Sequence, residues 1–146
     1  MSTRPSRDEI SALARKAGLR LTPQRLAVLE TLLDSCDHPT AALICERTRQ
    51  RVPGISRATV YNALETLNEA GLINRLHFDH DSSRYCPNLV PHVHLLNEST
   101  GEVTDIHLKA GLRAEDVFEL PEGVCITSME ACLRGQFSAK TTSSVI

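Results

Sequence analysis

At 146 residues and 16.1 kDa, with 41% hydrophobic residues, the chain is long enough for one ordinary domain or two small ones and apolar enough to bury their cores. Three Phe, two Tyr and no Trp argue against a stacking platform for single-stranded nucleic acid, which needs several exposed rings. No apolar run reaches the roughly 18–20 residues that span a bilayer, and MSTRPSRDEI has no apolar core behind its charges, so no secretory signal and no membrane partner are expected and a cytoplasmic protein is.

The net charge of −2 conceals an asymmetry. Residues 1–76 carry 11 Arg/Lys against 8 Asp/Glu, and residues 77–146 carry 5 against 10. A basic half joined to an acidic half fits a DNA-binding module attached to a segment that does not touch DNA, although differently solvated faces produce the same imbalance. The cysteines, Cys36, Cys45, Cys86, Cys125 and Cys132, are odd in number and contain no CxxC, which argues against both a disulfide framework and a zinc knuckle. Cys45 lies on an apolar helical face and reads as a small core residue.

In chain order, the first half reads as four helices. Asp8 and Glu9 open the first, Ile10, Leu13, Ala14 and Ala17 share one face, and Gly18 stops it. Thr22-Pro23 starts the second, with Leu26, Leu29 and Leu33 directed inward. Thr40 caps a third that runs to about Val52, before Pro53-Gly54, and Ser56 caps a fourth. Val60, Ala63, Leu64, Leu67 and Ala70 give that fourth helix the clearest period in the chain, and Gly71 terminates it. Ala58, Tyr61, Asn62 and Glu65 then point away from the core, which suits either a reading surface or ordinary solvated surface. LINRLHF and SRYC flank the polar turn DHDS as a hairpin. Helices followed by a two-stranded hairpin make a winged helix-turn-helix, whose last helix enters the major groove, with Arg15, Lys16, Arg20, Arg25, Arg57 and Arg75 available to phosphates.

From about Pro87 the pattern is HVHLLN and EVTDIHL as strands around a loop containing Gly101, a brief helix AEDVFEL, and a last strand within VCITSMEACL. A module of about 60 residues is marginal alone. Dimerisation through it would relieve this and would supply the two-fold symmetry that a palindromic site demands.

His92 and His94 are two apart on a strand and share a face. With Glu98–Gly101 as the loop, Asn97 pairs with Glu102, which sets His94 opposite Asp105 and His92 opposite His107. Cross-strand Cβ atoms are only about 4.5–5.5 Å apart, so three imidazoles and a carboxylate share one patch, either as metal ligands or as a histidine-rich solvated face. Cys86, at the end of the wing, and His38, between the second and third helices, are further donors. A divalent ion held from both halves would fix their relative orientation. Imidazole with carboxylate suits iron, manganese or zinc, and a thiolate shifts the preference away from manganese.

The run GLRLTPQRLAVLETL, then HPTA, ISRATVYNALETLNEAGLINR, SRYC, PHVHL and GEVTDI, resembles the ferric uptake regulator (Fur) family over residues 9–107, and ATVYNAL is most like its peroxide-responsive branch. The resemblance implies an α+β chain: a winged-helix DNA-binding domain, residues 1–86, followed by a small α/β dimerisation and metal-sensing domain, residues 87–146. It implies a metal-dependent repressor, not an enzyme, that binds double-stranded DNA at a palindromic operator as a homodimer. The family's regulatory ligands fall on His38, His92, His94 and Asp105, and Cys86 stands where an acidic ligand is usual. The tyrosine that reads a thymine methyl falls on Tyr61, and the minor-groove basic residue falls near Arg15 and Lys16. The expected DNA-binding set is Arg15, Lys16, Arg20, Arg57, Thr59, Tyr61 and Asn62. Asn97 and Thr100 occupy the positions of the structural-zinc CxxC, Cys125 and Cys132 are seven apart, and Met129 falls near the usual final-strand histidine. One regulatory divalent metal per subunit is therefore expected, Fe(II) or Mn(II), with Zn(II) an alternative, and no CxxC zinc. Two other functions compete: a redox regulator acting through Cys86, and a metal-dependent hydrolase, for which no general base, nucleophile or oxyanion-binding segment accompanies the ligands.

Overall fold

Ser6 starts helix α1 (Arg7–Lys16) through a reciprocal cap. Its hydroxyl accepts from the Glu9 backbone N–H at 3.2 Å, and the Glu9 carboxylate accepts from the Ser6 N–H at 2.6 Å, which holds the Glu9 carboxyl below its ordinary range. In this computed structural model, which describes residues 5–78, 82–127 and 129–136, the chain divides into two units, Met1–Leu89 and Val90–Ile146.

In the first unit Thr22, Thr40 and Ser56 cap α2 (Pro23–Leu33), α3 (Ala41–Arg51) and α4 (Arg57–Glu69), each hydroxyl accepting a backbone N–H three residues on. The core is Ile10 and Ala14 of α1, Val28, Leu29 and Leu32 of α2, Ile44 and Cys45 of α3, and Val60, Ala63, Leu64 and Leu67 of α4. Each such Leu or Ile contributes about 1.5–3 kcal/mol by leaving water. Thr48, also buried, donates to the Thr31 hydroxyl at 3.3 Å, and Thr31 donates to the Ala27 carbonyl at 2.7 Å, so these buried oxygens are satisfied. Gly71, at φ 75°, ends α4 with the Leu72 N–H returning to the Leu67 carbonyl at 3.0 Å. The expected inward faces of the first two helices need correction. Leu13 and Ala17 are exposed, because α1 packs by the narrow Ile10/Ala14 stripe. Leu26 and Leu33 are half-buried, the inner positions of α2 going to Val28 and Leu32.

The hairpin is shorter than LINRLHF and SRYC: β1 (Asn74–Leu76) pairs antiparallel with β2 (Arg84–Cys86), Arg75 facing Tyr85. Residues 79–81 of its turn lie outside the described residues. Strand β2 is also joined to the start of α3, through a Thr40–Arg84 bridge and a Tyr85 N–H to Pro39 carbonyl bond of 3.1 Å. Four helices and this hairpin form a winged helix-turn-helix.

In the second unit β3 (His92–Asn97) lies between β4 (Val103–His107), antiparallel, and β5 (Cys132–Gly135), parallel. The β3–β4 turn has the expected register. Asn97 donates its N–H to the Glu102 carbonyl at 2.8 Å, its side-chain oxygen accepts from Ser99 N–H at 3.0 Å, and Gly101 takes φ 74°. Helix α5 (Ala114–Val117) is a single turn. The last strand is displaced from its expected place: residues 124–127 and 129–131 are not strand, and pairing begins only at Cys132, opposite His94. Alternation alone does not make a strand. The free edge of β3 is available from His94 to Asn97 and selects the residues that reach it. No helix among the described residues is long and apolar enough to cross a membrane.

Candidate metal centre and nucleic-acid interface

Strand pairing assembles the donors of the second unit. His94 faces Asp105 and His92 faces His107. The Nε2 atoms of His92 and His94 are 3.1 Å apart, and Asp105 Oδ1 is 3.5 Å from the first and 3.2 Å from the second. Two imidazole nitrogens at that separation cannot both carry protons toward each other. One ring N–H can donate to the other nitrogen, and the same spacing suits a shared cation, with bonds of about 2.0–2.2 Å from each donor. His92 Nδ1 lies at hydrogen-bond distance from the Val90 carbonyl, which accepts its proton and leaves Nε2 with its lone pair toward the cluster. Both rings are buried, 8% exposed each, and burial lowers the His92 pKa, favouring the neutral form that binds metal. The solvated-face alternative does not fit rings that are withdrawn from water. His107 is exposed, its ring centroid 5.9 Å from that of His92.

The first unit presents a pair of its own. His38 is 7% exposed and Cys86 fully buried, and a His38 ring nitrogen lies within 4.8 Å of the Cys86 sulfur. The Pro39–Tyr85 hydrogen bond and the Thr40–Arg84 bridge hold the two segments together. His38 has φ 50°, a left-handed conformation costing on the order of 1–3 kcal/mol, although His tolerates it better than most residues. Two residues beside it escaped the sequence reading. Arg47 of α3 donates to both Asp37 oxygens, at 2.9 and 2.7 Å, and to the Ser35 hydroxyl at 3.0 Å. The only signal in the sequence is opposite charge ten residues apart, which no periodicity singles out.

Of the residues expected to meet DNA, Arg57, Tyr61 and Asn62 are exposed near the start of α4, and Arg15, Lys16 and Arg20 are exposed at and just beyond the end of α1. Arg57 donates to the Tyr61 hydroxyl at 3.1 Å, and its guanidinium carbon lies 5.2 Å from the ring centroid. The Thr59 hydroxyl is bonded to Ser56 at 2.7 Å within the helix cap. Arg25 is engaged internally, donating to the Arg20 carbonyl at 2.7 Å, and Arg75 lies 4.0 Å from Glu65, so neither is as open to phosphate as the sequence led us to expect.

The family model described as ferric uptake regulator matches residues 16–130. Over 100 residues the chain is 39% identical to the peroxide-responsive repressor PerR of Staphylococcus epidermidis, covering 68% of this chain and 67% of that one. The PerR of Staphylococcus aureus is likewise 39% identical, over 98 residues, with 67% and 66% covered. Among solved structures, the Vibrio cholerae ferric uptake regulator matches with a TM-score of 0.68 at 26% identity, over 88% of this chain and 99% of that one. A zinc-bound manganese uptake regulator matches with a TM-score of 0.60 at 28% identity, over 88% and 98%.

Proposed function

The chain belongs to the ferric uptake regulator family, a family of metal-responsive regulators, and from that membership we propose that it is a DNA-binding transcriptional repressor whose operator affinity depends on one divalent metal per subunit. The observation that carries this reading is the convergence of His92 Nε2, His94 Nε2 and Asp105 Oδ1 within 3.1–3.5 Å, with both histidines buried. In the proposal His38 and Cys86 complete the ligand set. These imidazole, carboxylate and thiolate donors would hold a divalent cation, which would supply the positive charge they need. The protein's part is to present those groups deprotonated. His92 is kept neutral by burial and oriented by the Val90 carbonyl, and Cys86 is shielded from water. The donor set suits Fe(II), Mn(II) or Zn(II). The likeness to peroxide-responsive repressors supports peroxide as the signal.

The DNA surface in this reading is the start of α4, with Tyr61 and Asn62 at base edges and Arg57, Arg15, Lys16 and Arg20 at phosphates or the minor groove. The partner is a second copy of the chain. The second unit leaves Leu112, Val117, Phe118, Val124 and Leu133 between 43% and 50% exposed, apolar surface that pairing of two such units would bury. Two copies then match a palindromic operator. Burial of Cys86 favours coordination over free reaction with oxidants.

The decisive experiment is metal analysis of anaerobically purified protein coupled to DNA binding with and without a chelator. The reading expects near-stoichiometric metal, operator binding lost with the chelator and restored by Fe(II) or Mn(II). His92→Ala should lower metal content and metal-stimulated affinity together while leaving nonspecific binding. Full metal stoichiometry in that variant would remove the site.

A further inference from the structure

His38 stands in an unusual backbone position for a residue that the proposed function makes a metal ligand. Its φ of 50° is sparsely populated by residues other than glycine, and such a residue persists only where its surroundings over-determine it. Its neighbours on both sides are pinned. On the C-terminal side the Tyr85 N–H holds the Pro39 carbonyl at 3.1 Å. On the N-terminal side Arg47 grips Asp37 with two parallel bonds of 2.9 and 2.7 Å, the fork geometry that a carboxylate accepts best. The same guanidinium reaches the Ser35 hydroxyl at 3.0 Å, and that hydroxyl donates to the Thr31 carbonyl of α2 at 2.8 Å. The loop before His38 is thereby tied to both α2 and α3.

We propose that Arg47 and Asp37 form a positioning pair for His38: the fork locks the loop in the conformation that keeps His38 left-handed, with its imidazole in the ligand position, and so sets the metal affinity. The pair touches no metal itself. It acts by denying His38 the relaxed backbone that would swing the ring away. Both side chains are partly solvated, 36% and 53% exposed, and a pair of that kind adds little to global stability. Its loss should therefore move the ligand without unfolding the domain. Lysine cannot replace the fork, because it offers a single point charge where Asp37 and Ser35 receive a planar array.

This inference rests on His38 being a ligand, and the test separates the two claims. Mn(II) affinity is measured on the full chain from the electron paramagnetic resonance signal of free Mn(II), beside thermal melts of the metal-free protein. Arg47→Ala and Asp37→Asn should each weaken Mn(II) binding by about tenfold, the lower range for residues that orient a ligand, with metal-free melting unchanged. Arg51→Ala serves as control, since it removes another α3 arginine, one that pairs with Glu30 and Asp34 rather than with Asp37. It should leave Mn(II) binding unaltered. On a His38→Ala background, Arg47→Ala should add nothing, because the residue it positions is gone. Wild-type affinity in Arg47→Ala and Asp37→Asn, with His38→Ala weakened, overturns the positioning role and leaves the metal site standing. An equal loss from Arg47→Ala on both backgrounds also overturns it. Unchanged affinity in His38→Ala overturns the ligand assignment itself.

Discussion

Tyr61 and Arg57 form a small exposed unit at the start of α4. The guanidinium donates to the phenol oxygen and lies against the ring, so the two side chains brace each other in the absence of DNA. In the proposed function the cation would be drawn to phosphate on a duplex, leaving the ring to contact a thymine methyl. Tyr61→Ala should therefore reduce discrimination between operator and mutated operator by about 1–3 kcal/mol, measured by competition binding at one salt concentration. Equal weakening on all DNA would assign Tyr61 to backbone contact instead. Cys86 is the second residue whose chemistry can be isolated. A serine hydroxyl is not ionised near neutral pH, so Cys86→Ser should lose Zn(II) affinity more than Mn(II) affinity while staying folded. Unchanged affinity for both metals, read by competition with a chromogenic chelator, would show that the thiol is not a ligand.

At the scale of the element, α4 serves both core and surface. Its inner face places Val60, Leu64 and Leu67 at zero exposure, and this packing orients the outer face. Leu64→Ala should destabilise the chain by about 2–5 kcal/mol in urea unfolding, the range for a fully buried leucine whose cavity cannot collapse. A loss below about 1 kcal/mol would mean that the helix is loosely held. Helix α1 depends on its cap. The folded-state pKa of Glu9 is depressed by the Ser6 N–H and hydroxyl, so its stabilisation is complete above the unfolded carboxyl value of about 4.3 and is lost as pH falls through the folded value. Glu9→Gln should flatten this acid limb in circular dichroism. An acid limb identical to wild type would place the titration elsewhere.

For the whole molecule, the two units differ in how far each can stand alone. The first has a helical core of fully buried Leu, Ile and Val. The second has a three-stranded sheet, one helical turn and half-exposed apolar side chains. A module of about 60 residues buries only about 60% of its unfolded surface, so it is marginal alone and a partner would stabilise it. The segment 1–89 should accordingly fold as a helical monomer and bind DNA weakly, since it lacks a second half-site. Light scattering of that segment checks the idea, and a dimer there would locate self-association in the wrong unit.

The sequence by itself determined whatever depends on neighbours a few residues away. Caps at Thr22, Thr40 and Ser56, the period of Val60, Ala63, Leu64 and Leu67, and the stops at Gly18 and Gly71 are set within one or two helical turns. The pairing of His92 with His107 and of His94 with Asp105 follows from one short turn, because strand register propagates from its loop. The motifs that identify the family are likewise contiguous runs. Tertiary structure decided everything that depends on distant partners. Leu13 carries the helical period yet stays exposed, because the groove receiving α1 admits only Ile10 and Ala14. The last strand begins at Cys132, since the free edge of β3 chooses which residues pair. The left-handed turn at His38 and its Arg47–Asp37 fork arise only when α3 folds back over the loop that precedes it. Local patterns encode periodicity and caps. They do not encode which side chain a folded helix brings beside a loop ten residues away.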